Sequence, residues 1–177
     1  MKKIRKSAFA ALVIGLMFTV TLPLHAKKNK GEGYQIQPHI NAEDAAASVR
    51  SALTKLSVGK GWTKQGKRGE VKLEVPLLLA DKIVARVTLN PSTGEIMAKK
   101  QGLQVQKISV TPEQAVKTVQ ELIPHLEVGS PQLGKSGEWK VPLLFKGNTV
   151  AEIGVHGKDG SILPDWKASK DAAMFGK

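Results

Sequence analysis

The sequence predicts an α+β protein of two tandem units, each one helix followed by a three-stranded antiparallel sheet (α-β-β-β twice). Internal repetition is the first observation behind this. Ile40-Asn41-Ala42-Glu43-Asp44-Ala45-Ala46 returns as Val110-Thr111-Pro112-Glu113-Gln114-Ala115-Val116, 70 positions later. Val75-Pro76-Leu77-Leu78 returns as Val141-Pro142-Leu143-Leu144, and Gly94-Glu95-Ile96 as Gly160-Ser161-Ile162, both 66 positions later. The second copy is therefore four residues shorter between its first element and its second. Periodicity is the second observation: each first motif opens an apolar stripe of helical spacing, and strict alternation follows. Punctuation is the third, with Gly, Asn, Asp and Pro at matched places between the runs.

The chain begins with a targeting pattern. Lys2, Lys3, Arg5 and Lys6 precede an apolar run from Ala8 to Leu24, and Leu24-His25-Ala26 ends on a small residue. This predicts a signal peptide over 1–26, cleaved after Ala26, and a periplasmic or secreted protein. An uncleaved anchor is the alternative, but the run is short for a span, and Pro23 and Ala26 suit a processing site. Removing 1–26 from 177 residues leaves 151, enough for one ordinary domain or two small ones. The chain has no cysteine, so its stability must come from apolar packing.

Residues 27–39 read as a basic linker, with Lys27, Lys28, Lys30, Gly31 and Gly33. The first unit, 40–100, opens with a helix capped by Asn41, with Glu43 and Asp44 in its first turn. Ala45, Val49, Ala52 and Leu56 share one face, and Gly59 is the expected stop. Lys60 to Gly69 reads as a loop. Val71, Leu73, Val75, Leu77 and Leu79 then alternate with polar neighbours, as a half-buried strand does. Asp81-Lys82 is a turn, and Ile83, Ala85, Val87 and Leu89 form the partner strand. A turn over Asn90–Gly94 leads to a short last strand, Glu95 to Ala98.

The second unit, 110–166, follows a linker at 101–109. Thr111 caps its helix, Pro112 takes the first helical position and Gln114 completes a capping box. Ala115, Val119, Leu122 and Leu126 form the stripe, Pro124 ends or kinks the last turn and Gly129 is the expected stop. Ser130 to Gly137 reads as a loop. Trp139, Val141 and Leu143, then Ala151, Ile153 and Val155, form the strand pair around Lys146-Gly147-Asn148. A turn over Gly157–Gly160 precedes the last strand, Ser161 to Leu163. Residues 167–177 read as a tail that Trp166 packs against the sheet. Pro76 and Pro142 cannot donate to a ladder, which places their strand at an edge or at a bulge. An edge invites pairing with the other copy or with a peptide, although proline there also blocks such pairing.

Val110-Thr111-Pro112-Glu113-Gln114-Ala115 and Asn90-Pro91-Ser92-Thr93-Gly94-Glu95-Ile96 resemble the two ends of the PepSY domain. Ile40-Asn41-Ala42-Glu43-Asp44-Ala45 is similar to the first of these motifs. Lys158-Asp159-Gly160-Ser161-Ile162 departs from the second, lacking its threonine and acidic residue. The resemblance covers almost all of 40–165 as two copies. It implies a binding or inhibitory module like those in propeptides of secreted metallopeptidases, with no catalytic residues to carry over.

Sites of chemistry are sparse. His39, His125 and His156 have no second ligand at helical or strand spacing, and His-Glu-x-x-His is absent, so no metal is expected. Gly-x-Ser-x-Gly and the phosphate-binding glycine loops are absent too. No cofactor and no enzymatic activity are expected. Glu70 and Glu74 read as surface charge on the solvent face of their strand.

The net charge is +12, of which +8 remains after the four charges of 1–26. The surplus gathers at Lys27, Lys28 and Lys30, at Lys60, Lys64, Lys67 and Arg68, and at Lys99, Lys100 and Lys107. Lys60, Trp62, Lys64, Lys67 and Arg68 form the candidate binding loop, where Trp62 could stack on a ligand while the cations hold an anion. Alternatively Trp62 folds back as core and the charges are only a solvated surface. Trp139 reads as core. The expected function is an exported, non-enzymatic binding module of the bacterial envelope. Its partner would be an envelope or secreted protein, a peptidase among the candidates. The alternative is a basic protein binding cell wall, membrane surface or another anionic polymer, without specific nucleic-acid recognition.

Overall fold

In the computed structural model, which describes residues 37–66, 69–99, 101 and 108–176, both helices start where their caps dictate. Helix α1 (Ala42–Leu53) opens on Asn41, whose side chain accepts from Asp44 N–H at 2.9 Å while Asp44 accepts from Asn41 N–H at 3.2 Å. Helix α2 (Pro112–Leu122) repeats the box with Thr111 and Gln114. Each reciprocal pair satisfies two amides that the first turn leaves without partners. Pro124 acts as expected: α2 stops at Leu122 and Ile123–His125 forms one 3-10 turn. The expected signal peptide (1–26), residues 27–36, Lys67, Arg68, Lys100, 102–107 and Lys177 lie outside the described residues.

Two antiparallel sheets follow the two helices. The first comprises β1 (Ser57–Val58), β2 (Trp62–Gln65), β3 (Val71–Leu79) and β4 (Lys82–Leu89). The second comprises β5 (Glu127–Val128), β6 (Gln132–Leu133), β7 (Trp139–Phe145), β8 (Asn148–Val155) and β9 (Ile162–Leu163). The segments expected to be loops, 60–69 and 130–137, therefore contain strands. The glycines expected to stop the helices do another job. Gly59 lies between β1 and β2, and Gly129 between β5 and β6, where each broken strand steps past a proline. A Cβ on Gly59 would lie 2.9 Å from the Pro76 ring, and one on Gly129 equally close to Pro142.

Those prolines sit in central strands, not edge strands. β3 pairs with β1 and β2 on one side and β4 on the other, and β7 is flanked in the same way. Pro76 accepts Gly59 N–H through its carbonyl, so its hydrogen-less nitrogen faces the break between β1 and β2. A missing donor is harmless where the ladder is interrupted. The register also shifts just beyond each proline, between Leu77 and Leu78 and between Leu143 and Leu144. The hairpins close on Ala80-Asp81 and Lys146-Gly147, all at positive φ, as tight two-residue turns require. Of the expected last strands, Ile162–Leu163 pairs with β8, whereas the first copy keeps only the bridge from Ile96 to Leu89.

Each helix lies against the sheet other than the one that directly follows it in the chain. α1 packs on β5, β7 and β8; α2 packs on β1 and β3. The starts of the helices are pinned accordingly. His39 and Ile40 N–H donate to Gly157 O beyond β8, and Ser109 and Val110 N–H donate to Pro91 O beyond β4. β4 and β8 approach each other, and the chain crosses between sheets at both ends of this seam: Lys99 N–H donates to Thr149 O, Asp165 N–H to Ile83 O. One apolar cluster results, joining Ala45 and Val49 of α1, Ala115 and Val119 of α2 and the inner residues of both sheets. Leu73, Val75, Leu77, Val141, Leu143 and Ile153 are fully buried in it. Each such side chain stabilises the fold by roughly 1.5–3 kcal/mol.

The expected tail is a third helix, α3 (Trp166–Phe175), capped by Asp165 and lying on the outer face of the first sheet against β2 and β4. Trp166 does not pack it down. The indole is 78% exposed, and Ala168 and Asp171 are the residues α3 buries.

Candidate functional site

Covering the outer face of the first sheet creates a polar interior. Trp62 pairs across β2 and β3 with Glu74, and Pro76 across β3 and β4 with Arg86, which puts Trp62, Glu74 and Arg86 on the face beneath α3. Trp62 Nε1 donates to Glu74 Oε2 at 3.2 Å. Arg86 Nη1 lies 3.4 Å from the same oxygen and 2.8 Å from Asp171 Oδ2 of α3. Lys64 Nζ reaches that Asp171 oxygen at 2.6 Å and lies 5.5 Å from the centre of the Phe175 ring. Two carboxylates and two cations thus neutralise one another around a buried indole. Burial pushes the Asp171 carboxyl up, but hydrogen bonds and charge from Lys64 and Arg86 outweigh it and hold it below the usual aspartate range.

Next to this network, along the seam of β4 and β8, lies a cleft of about 370 Å³. Arg86 and Glu74 stand on one side and Glu152 on the other, and the chain around Lys99 and Asp165 closes it. Glu152 is paired with Lys99 at 2.7 Å. Lys72 and Lys167 also line the cleft and have no ion-pair partner among the described residues. The volume is at the small end for a ligand site. Its walls offer fixed charges of both signs, which suits a polar segment carrying both donors and acceptors.

The candidate loop is dispersed by the fold. Trp62 is 1% exposed and hydrogen-bonded in a strand, so it is core and has no free face for stacking. Lys64 is committed to Asp171, and Lys60 alone of the described members faces solvent. Lys67 and Arg68 lie outside the described residues. Glu74, expected on the solvent face, is 5% exposed, because α3 covers it. Trp139 is half-buried and donates from Nε1 to Ile40 O at 3.1 Å.

The cleft residues had a sequence signal that alternation alone does not reveal. At the 66-residue offset Lys72 matches Glu138, Glu74 matches Lys140, Arg86 matches Glu152 and Lys99 matches Asp165. Every matched pair inverts its charge.

His156 belongs to a surface turn. Its Nδ1 lies 3.1 Å from Asp159 Oδ1, and Ser161 donates to that same oxygen from N–H and Oγ. The Ser161 bonds hold the Asp159 carboxyl down at about 2. Here the carboxylate sits between serine and histidine, whereas a serine nucleophile needs the histidine in the middle. Among the described residues no three His, Cys, Asp or Glu side chains are placed to hold a metal ion, and no helix is long and apolar enough to cross a membrane. Comparison with protein-family models, curated proteins and solved structures finds no match for this chain.

Proposed function

We propose that this protein is an exported, non-enzymatic binding module of the cell envelope, built from two tandem PepSY-like units, that takes a protein or peptide partner in the cleft between β4 and β8. The cleft carries the reading, because it is where charged groups of both signs converge on a solvent-open space beside the shared core. The tandem organisation is supported by coincidences at a constant offset. Both register shifts, both proline–glycine contacts and both seam hydrogen bonds recur 66 residues apart, or 70 where the partner precedes the shortened segment. The N-terminal pattern supports export. A peptidase remains the first partner class to try, as the PepSY resemblance implies.

The test is retention of envelope and secreted proteins on immobilised full chain, with Lys72→Glu as the cleft variant and inhibition of co-secreted peptidases as a second readout. A partner held by the wild type and at least tenfold less by Lys72→Glu, at unchanged melting temperature, supports the reading. Equal retention by both, or none by either, removes the cleft from consideration.

A further inference from the structure

We infer that α3 docks the protein onto an anionic lipid surface. The helix has one acid, Asp171, and the fold buries it against Lys64 and Arg86. Both of its lysines, Lys167 and Lys170, are exposed. At 100° per residue Trp166, Lys170, Ala173 and Met174 fall on the face turned away from the sheet, and all four are exposed. Trp166 is 78% exposed and Met174 54%, the two highest values among the large hydrophobics of the described residues. An outward indole and thioether flanked by ammonium groups, with the acid withdrawn, is the arrangement that headgroup regions of anionic bilayers accept.

Charge and shape together single out a bilayer as the occupant. The face is a convex ridge with its apolar residues at opposite ends, separated by about 12 Å of helix. A protein would need a groove shaped to both ends, whereas a bilayer interface conforms to a ridge. The surplus of +8 that remains once the four charges of residues 1–26 are removed adds long-range attraction of the same sign. This docking does not depend on the cleft's having a ligand.

The chain has no cysteine, so one introduced at position 173 carries a single environment-sensitive fluorophore. Lys117→Cys on α2, which covers the opposite face of the same sheet, supplies the control label. With the full chain and phosphatidylglycerol-containing vesicles, the label on Ala173→Cys should shift to the blue and the label on Lys117→Cys should not. The shift should fade with added salt and be absent on phosphatidylcholine alone. Lys167→Gln with Lys170→Gln should weaken partitioning roughly 30-fold. An unchanged label at 173 overturns the proposal and leaves the face to a protein partner. An equal shift at 117 overturns it as general adsorption, and an equal shift on phosphatidylcholine overturns the role of charge.

Discussion

Replacing Arg86 with methionine tests whether the covered face of the first sheet rests on charge balance. The Arg86 side chain is 20% exposed, and its partners Glu74 and Asp171 are 6% and 8% exposed. The four charged groups, Lys64 and Arg86 against Glu74 and Asp171, sum to zero. Arg86→Met leaves one uncompensated carboxylate under α3, and Glu74 keeps only the Trp62 N–H. Deleting one partner of a buried ion pair costs about 3–5 kcal/mol. Lys64 still holds Asp171 and Arg86 is partly solvated, so the lower end applies, about 3 kcal/mol. In a chain of this size that lowers the melting temperature by roughly 10 °C. Urea titration followed by far-UV circular dichroism, beside a thermal melt, measures both. Adding Glu74→Gln removes the orphaned charge and should recover about half of the loss. A deficit below about 1 kcal/mol, or a double variant that loses the sum of the two single losses, would refute the account of a coupled network.

Three further outcomes follow from the same contacts. The folded Asp171 carboxyl lies below its unfolded value, so the native state binds fewer protons there. Its stabilisation is present above about pH 4 and is lost as pH falls through the folded value, so urea midpoints of Asp171→Asn should fall less than wild type on acidification. Gly157→Ala would drive a Cβ into the Gly137 carbonyl and against Pro38, at the point that pins the start of α1. Backbone cannot yield as a side-chain tip can, so calorimetry should show a loss of about 3 kcal/mol. Finally, because each helix covers the other sheet, a fragment of residues 37–100 should be unfolded by circular dichroism and should fold when mixed with residues 108–177; a cooperative melt of the first fragment alone would contradict the crossed packing.

Much of the architecture is legible because it is local. Asn41 and Thr111 announce the helix starts through side chains that bond three residues away. Val71 to Leu79 and Ile83 to Leu89 announce a hairpin through alternation and a two-residue turn. The same local logic misled where a residue answered to a distant partner. Gly59 and Gly129 looked like helix stops because the constraint on them is a proline ring 17 and 13 residues on. Glu74 looked like surface charge because alternation marks the second face of a strand as polar, without saying whether a third layer covers it. Of the candidate loop, Trp62 was drawn under that layer with it.

The sequence alone therefore determines the α+β class, the two helix starts, the hairpins and the approximate element order, since each follows from caps, turns and periodicity within a few residues. Tertiary structure decides which sheet each helix covers, the burial of Trp62 and Glu74, and the cleft. Those depend on contacts such as Arg86 to Asp171 and Trp139 to Ile40, 85 and 99 residues apart. The two stripes of Ala and Val are nearly interchangeable, so either could cover either sheet. The backbone bonds from His39 and Ile40 to Gly157, and from Ser109 and Val110 to Pro91, select the crossed arrangement.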